Sequence, residues 1–384
     1  MIKKNIILPG IIPANQILAI AVLFFLCTGM VGTVFGKNGD KEKMDKIRKI
    51  LEENNIPDAP AQWVTRKPLF RDGADFNPMA IAYGCYREGQ APGVKGPSVS
   101  EIKEDLAIIE KYWTLIRVYG ADDDTERILS VIQKGGHNIK VVLGIWLENE
   151  EGKPEKKAAN IKQVLRGIEQ ADKYENIIES VCVGNETMVS WSYHRMQPEH
   201  LIKYLRVVRN YVKQPVTTAD DYSYWNLPES KKIAAELDFI ITHIHPLWNG
   251  IQLEESVNWL DKVYYEQLVT NHPGKEIVIG ETGWSTDYDA TKTGPGEQGA
   301  LIKGVVNEEA QKEFMKMIYK WVEDKKVVTY LFEAFDEPWK GGGDKTGPRE
   351  VEKHWGIFGE DRKPKMAFRE LGETFRIKKE NKKP

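Results

Sequence analysis

Residues 177–186 read Ile177-Ile178-Glu179-Ser180-Val181-Cys182-Val183-Gly184-Asn185-Glu186. The run Ile177–Val183 is short, apolar and β-branched, and it stops at a glycine followed by two polar side chains. That is how a buried strand ends at a functional turn. The same pattern recurs on both sides. Upstream strand candidates are Met79–Tyr86, Thr114–Tyr119 and Ile139–Trp146; downstream ones are Pro215–Ala219, Phe239–His245, Glu276–Gly280 and Val327–Phe335. Helical stretches fill the intervals. Ser98 and Glu101 form a capping box ahead of Ile102–Tyr112, and Ile128–Gln133 runs into Gly135-Gly136, a left-handed stop. Ala158–Ala171, Pro198–Val212, Glu229–Leu237, Leu253–Thr270, Glu308–Asp324 and Pro364–Phe375 complete the set. Eight strands, each followed by a helix over about 300 residues, predict an α/β chain folded as a (β/α)8 TIM barrel. A doubly wound open sheet is the alternative, since strand count does not show closure. No Gly-x-Gly-x-x-Gly follows the first strand, which weakens the dinucleotide-binding version of that alternative.

The 384 residues are 41% hydrophobic with a net charge of −3, enough for a large core and without the basic excess that nucleic acid binding needs. Lys3 and Lys4 precede a charge-free apolar run from Ile17 to Phe35, so residues 1–36 read as a secretory signal peptide or a membrane anchor. Gly32 and Gly36 are the small residues near a cleavage point, and Cys27 sits behind Phe24-Phe25-Leu26, too bulky for a lipoprotein box. Export follows, to a secreted, periplasmic or envelope-anchored location. Residues 37–75 are expected to be a polar spacer with a charged helix over Asp40–Asn55, broken by Pro57, Pro60 and Pro68. Residues 76–376 are the barrel and 377–384 a charged tail. Cys85 and Cys182 fall in strand-like runs and read as buried thiols, not a disulfide framework. A monomer is expected.

In such a barrel, functional side chains project from the C-terminal ends of the strands. The fourth strand ends on Glu186, with Asn185 placed to bond a sugar hydroxyl, and the seventh ends Ile279-Gly280-Glu281-Thr282-Gly283-Trp284. Strands four and seven face each other across the mouth. One carboxyl that protonates a departing oxygen and another that attacks or stabilises the oxocarbenium-like centre is the chemistry of glycosidic cleavage. A lone strand-end glutamate is more often a salt-bridge partner or a helix cap; the pair, each in a glycine-flanked turn, favours catalysis. Asn185-Glu186-Thr187 is formally a glycosylation sequon, but a buried strand end leaves no room for a glycan.

These stretches resemble glycoside hydrolase family 17, and within it the bacterial, laminarinase-like β-1,3-glucanases. The resemblance runs from about Ile81 to Lys365. It is carried by Tyr83-Gly84 with Arg87-Glu88-Gly89-Gln90, Ile116-Arg117-Val118-Tyr119-Gly120, Gly144-Ile145-Trp146, Val183-Gly184-Asn185-Glu186 and Gly280-Glu281-Thr282-Gly283-Trp284. Two late stretches join them, Phe332-Glu333-Ala334-Phe335-Asp336-Glu337-Pro338-Trp339-Lys340 and Glu352-Lys353-His354-Trp355-Gly356. It implies Glu186 as acid/base and Glu281 as nucleophile of a retaining, endo-acting enzyme on β-1,3-glucan, with no cofactor and no metal. A transglycosylase using the same glutamates and a non-catalytic glucan-binding barrel are the alternatives. The intact glutamate pair argues against the binder. No strand-end lysine suits a Schiff base, which argues against an aldolase.

Under that resemblance Tyr83, Arg117 and Tyr119 contact substrate or hold the nucleophile's charge. His245 contacts sugar or orients the nucleophile, while His243 packs; the His-x-His pair shares one strand face, the arrangement a metal would use, but the mechanism needs none. Glu337 and Lys340 belong to the charged network around the site, and Trp339 and Trp284 are candidate sugar platforms. Asp220 and Asp221 either bond hydroxyls or cap the next helix. Glu333, Asp336 and Glu337 are competing carboxylates, with Glu337 the first substitute for Glu281. The Gly-, Lys- and Glu-rich loop 287–307 is expected to shape the acceptor side of the cleft.

Overall fold

A computed structural model describes residues 38–53, 55–59, 63–68 and 78–377. Residues 1–37, which include the expected signal or anchor, and the tail from 378 lie outside the described residues. Among the described residues no helix is long and apolar enough to cross a membrane. The chain divides into Met1–Lys46 and Ile47–Pro384. Of the first unit only the opening turns of helix α1 (Asn38–Glu52) are described.

In the second unit eight parallel strands close into one barrel, each paired with its sequence neighbours and β8 with β1. They are β1 (Met79–Ala82), β2 (Leu115–Arg117), β3 (Lys140–Ile145), β4 (Ile178–Asn185), β5 (Val216–Asp221), β6 (Ile240–His243), β7 (Ile277–Thr282) and β8 (Thr329–Leu331). Closure rules out the open sheet. The lumen is filled by Ala80, Leu115, Val142, Cys182, Ala219, Phe239, Ile241, Val278, Val328 and Tyr330, all nearly inaccessible to water. Such a barrel is a packed core, not a pore, so chemistry is confined to its rim. Cys85 and Cys182 are free and buried.

The helices form where their caps allow. In α2 (Val99–Ile109) Ser98 and Glu101 complete the reciprocal capping box, and α3 (Asp123–Gly135) stops at Gly136 in the left-handed conformation. α4 (Pro154–Lys173) and α5 (Pro198–Tyr211) each begin with proline at a position where its missing N–H costs nothing. Short helices α6 (Tyr222–Trp225) and α7 (Ser230–Ala234) follow β5. The expected helix over 253–270 is a composite: a 3-10 turn, α8 (Ser256–Lys262), then a π-helical stretch Val263–Val269. α9 (Gln298–Leu301), α10 (Glu308–Lys325) and α11 (Met366–Phe375) complete the layer.

The stretch expected as a spacer behaves differently in its described part. Ile47 and Leu51 are fully buried. The Lys203 ammonium donates to the Leu51 and Glu53 carbonyls, satisfying the end of α1. Arg66 donates its backbone N–H to Asp238 and its guanidinium to the carbonyls of Arg209, Val212 and Gln214, while Arg209 lies 3.8 Å over the Trp63 ring. Residues 47–53 and 63–68 are therefore docked on the barrel. Polar composition suggested a free linker because buried arginine and lysine stems serving backbone carbonyls look the same in sequence as solvated ones.

Candidate active site

The register of the sheet slips between Cys182 and Asn185 on β4, and between Ile279 and Thr282 on β7. Such irregularities re-aim side chains at a barrel rim. At the β4 end the backbone turns sharply: Gly184 has φ 83° and Glu186 itself φ 51°, a left-handed conformation costing a non-glycine residue about 1–2 kcal/mol. The turn is held by Asp220 on β5, whose buried carboxylate accepts from the Met188 and Val189 N–H groups at 2.7 and 3.1 Å. Asp221 instead caps α6 through the Ser223 N–H. Asp221 thus fills the helix-cap role, and Asp220 is the clamp of the β4 turn.

Glu281, at the end of β7, is 6% exposed. Its Oε1 accepts from Arg117 Nη1 and from the Tyr119 hydroxyl, both at 2.9 Å, and its Oε2 lies 3.4 Å from His245 Nε2. Arg117 also donates through Nη2 to Asn185 Oδ1 at 2.5 Å. His243, expected to pack, stands between the two glutamates: its Nδ1 is 2.9 Å from Glu186 Oε1 and its Nε2 is 3.0 Å from Arg117 Nη1. A guanidinium only donates, so Nε2 is the acceptor and Nδ1–H donates to Glu186. The 3.4 Å approach of Nε2 to Glu281 Oε1 is then a contact and not a hydrogen bond.

Charge follows from this arrangement. Burial, with help from Arg117 and His245, pulls His243 down to about 3, so the ring is neutral. Burial alone would keep Glu281 protonated, but His243, His245 and Arg117 outweigh it and hold the carboxyl well below the usual range. With His243 neutral, the permanent charge among the three is Arg117. Glu186 is shifted the other way: burial raises it well above the usual range, and the negative charge of Glu281 adds to the effect. One oxygen or nitrogen atom from each of Glu186, His243 and Glu281 lies within 4.8 Å of the other two. The imidazole donates to Glu186 through Nδ1 and accepts from Arg117 through Nε2, so both nitrogens are engaged.

Beside Glu281 lies a second buried charged group. Lys340 pairs with Glu333 at 2.6 Å and Glu337 at 3.0 Å, and Trp339 donates its indole N–H to Glu337. Burial, with the charge of Glu337, raises Glu333 well above the usual range against the pull of Lys340. Glu337 presses on the backbone of Gly84, where an added Cβ would fall 2.2 Å from Oε2. Replacing Gly84 with Ala is expected to destabilise the fold by about 1–3 kcal/mol, the usual cost of overpacking, and to lower activity by displacing Lys340. Denaturant midpoint and turnover measured on one preparation check both.

Two expected contacts are absent from the mouth. Tyr83 is buried, and its hydroxyl donates to Asp105 of α2, on the helix side of the barrel wall. Trp284 is 1% exposed, donates to the Val305 carbonyl and packs on Phe314 of α10, so it is core and not a sugar platform. Glu352 was not singled out from the sequence. It sits on a 3-10 turn (Val351–Lys353) after β8, feels the charges of Lys340, His245 and Glu281, and is raised mainly by its burial. Among the described residues its carboxylate takes no hydrogen bond from the protein. The loop 287–307 buttresses this turn: Lys292 and Gln298 bind Glu350, and Arg349 binds Asp287.

Sequence comparisons agree with this arrangement of elements. A family model described as the BtgE/BtgC glycoside hydrolase domain matches residues 80–356. Over 315 residues the chain is 27% identical to a "Probable glucan endo-1,3-beta-glucosidase btgC" of Aspergillus clavatus, covering 77% of this chain and 42% of that protein. It is 29% identical to a "Glucan 1,3-beta-glucosidase" of Arthroderma benhamiae, covering 75% of this chain and 92% of that one. The chain thus spans less than half the length of the Aspergillus relatives. Among solved structures, an endo-laminarinase from Formosa aligns with TM-score 0.65 and 23% identity, covering 77% of this chain and 86% of that one. A family 17 β-1,3-glucanosyltransferase from Rhizomucor miehei aligns with TM-score 0.59 and 24% identity, covering 75% and 95%. These structural likenesses show the fold, and the matches span fungi and Formosa, so they do not sort the chain into a bacterial group. With a match that takes in seven of the eight strands whole, both glutamate turns and the turn carrying Glu352, the chain belongs to the family of the BtgE/BtgC glycoside hydrolase domain.

Proposed function

We propose that the chain cleaves β-1,3-glucan with retention of configuration, Glu186 serving as acid/base and Glu281 as nucleophile. The observation that carries the reading is the opposite electrostatic setting of two carboxyls this close together: one kept ionised, the other kept protonated. One oxygen of each lies within 4.8 Å of the other, and the carboxyls of retaining enzymes stand about 5–5.5 Å apart.

Each oxygen has its own task. Glu281 Oε1 is engaged by Arg117 and Tyr119, leaving Oε2 to attack the anomeric carbon. Glu186 Oε1 accepts from His243, so its proton resides on Oε2, from which it passes to the departing glycosidic oxygen. Once Glu281 is esterified its charge is gone, and one cause of the raised Glu186 value goes with it. Glu186 then ionises more readily and can take a proton from the incoming hydroxyl. His245, Lys340, Glu352 and the Asn185 amide nitrogen are the polar groups placed to meet hydroxyls of the bound sugar. A polymeric substrate outside the membrane agrees with export directed by residues 1–36.

Activity requires ionised Glu281 and protonated Glu186. Its pH profile is therefore expected to be bell-shaped, with an acid limb well below the ordinary carboxylate range and an alkaline limb above it. Glu186→Gln should remove the alkaline limb together with most of the turnover on unactivated glucan. A profile whose alkaline limb lies at an ordinary carboxylate value would contradict the assignment.

Incubation with β-1,3-, mixed-linkage and β-1,6-glucans, reading product size and linkage, tests the function. Shorter β-1,3 products are the expected result. Products longer than the substrate would make transglycosylation the main reaction, and no turnover on any glucan would leave a binding barrel.

A further inference from the structure

The partners of Glu281 come from the ends of β2 and β6, and Lys340 and Glu352 from the segment after β8. The β3–β4 half is different. Trp146 directly follows β3, and the loop after Glu186 carries Trp191-Ser192-Tyr193-His194. Among the described residues Trp191 and Tyr193 are the two aromatic side chains left largely in water, 63% and 84% exposed. Water offers no reason to place two such rings beside a cleft, so their exposure points to a ligand.

The loop is built to hold them still. Its neck is closed by the Met196 N–H on the Thr187 carbonyl at 2.9 Å, and its base is clamped by Asp220 on the Met188 and Val189 N–H groups. The Tyr193 ring lies 3.7 Å from buried His194, which meets Trp146 edge-on at 4.7 Å. The loop begins directly after Glu186 at the end of β4, so it borders the strand end that carries the proton donor. Aromatic faces bind the C–H faces of pyranose rings and leave the hydroxyls free.

We propose that Trp146, Trp191 and Tyr193 form an aromatic platform for the sugar on the leaving-group side of the scissile bond, resting on the reading of the site as a β-1,3-glucan cleft. Glu186 hands its proton to the oxygen that departs with that sugar, so a platform in its own loop lies on the departing side. After the first step the platform holds a saccharide there as an acceptor. Its hydroxyl attacks the anomeric carbon, the bond to Glu281 breaks, and the hydroxyl proton passes to Glu186.

Trp191 and Tyr193 are exposed, so their replacement leaves the fold intact. In a Glu281→Gln background that holds laminarihexaose without turnover, Trp191→Ala with Tyr193→Ala should weaken its binding about three- to tenfold. In the otherwise native chain the double variant should move cleavage of reducing-end-labelled laminarihexaose toward the labelled end. Unchanged affinity overturns the platform, and a shift away from the label puts it on the wrong side. Failure of the native chain to cleave any β-glucan is a separate result, which sinks the functional reading while the binding titration still decides the platform.

Discussion

Replacing Glu281 with Gln is expected to lower turnover of β-1,3-glucan on the order of 10⁴-fold or more, with substrate binding retained. The amide keeps the size of the side chain but cannot form the ester, and no other carboxyl can take its place. Glu333 and Glu337 are the nearest in sequence pattern, yet both are spent on Lys340 in a buried group. Glu352 lies within electrostatic reach of Glu281, but its raised value leaves it a poor nucleophile. Turnover by Glu281→Gln within tenfold of native would remove Glu281 from the reaction. Activity that survives there and vanishes in Glu337→Gln would reinstate the competing carboxylate.

Arg117→Met is the second large effect, and it acts on fold and chemistry together. The guanidinium is 1% exposed and contacts Glu281, His243, the Gly280 carbonyl and Asn185. Removing it leaves a buried carboxylate without its permanent positive partner, which costs about 3–5 kcal/mol of stability. Glu281 then titrates higher, so the acid limb of the pH–rate profile moves up, and turnover is expected to fall roughly 10²–10³-fold as for the loss of other preorganised donors. Lys is a poor substitute, since one ammonium cannot reproduce a planar fork that reaches Glu281 and Asn185 on different nitrogens. Denaturant unfolding and a pH–rate series check the two halves separately. An acid limb that stays in place would show that something other than Arg117 keeps Glu281 ionised.

How legible this was in the sequence depends on which physical rule a residue obeys. Every expected strand from Met79–Tyr86 to Val327–Phe335 overlaps an observed one, because fully buried parallel strands read as short apolar runs with sharp polar or glycine ends. Five of the expected runs are longer than the strands, since apolar residues continue past the last ladder hydrogen bond into the rim. β4, β5 and β7 instead extend beyond their apolar runs into polar residues such as Asn185, Asp221 and Glu281. Glu186 and Glu281 were found by the strand-end rule, and the His243-x-His245 repeat gave the correct shared face. The role of His243 was missed because the ring contacts a carboxylate 57 residues away, a separation no local pattern reports.

Tyr83 and Trp284 show the limit of the same rule. A residue just past a strand end faces the mouth or the helix layer according to parity, and a slip of one residue reverses the answer. For Trp284 the register irregularity on β7 bears on the answer, and it leaves no mark in the sequence. Glu352 lies on a turn after β8, outside the reach of any strand-end filter. Its one sequence signal was membership in the Glu352-Lys353-His354-Trp355-Gly356 stretch.

The account stands on double displacement at two closely placed carboxyls, and the anomeric form of the first product tests that most directly. Proton NMR of laminarin oligosaccharide cleavage, followed before mutarotation, should show the β-anomer of the new reducing end appearing first and the α-anomer only later. Initial appearance of the α-anomer would mean inversion by a water placed between the carboxyls. Glu281 would then be a general base, and the assignment of a covalent intermediate would be wrong.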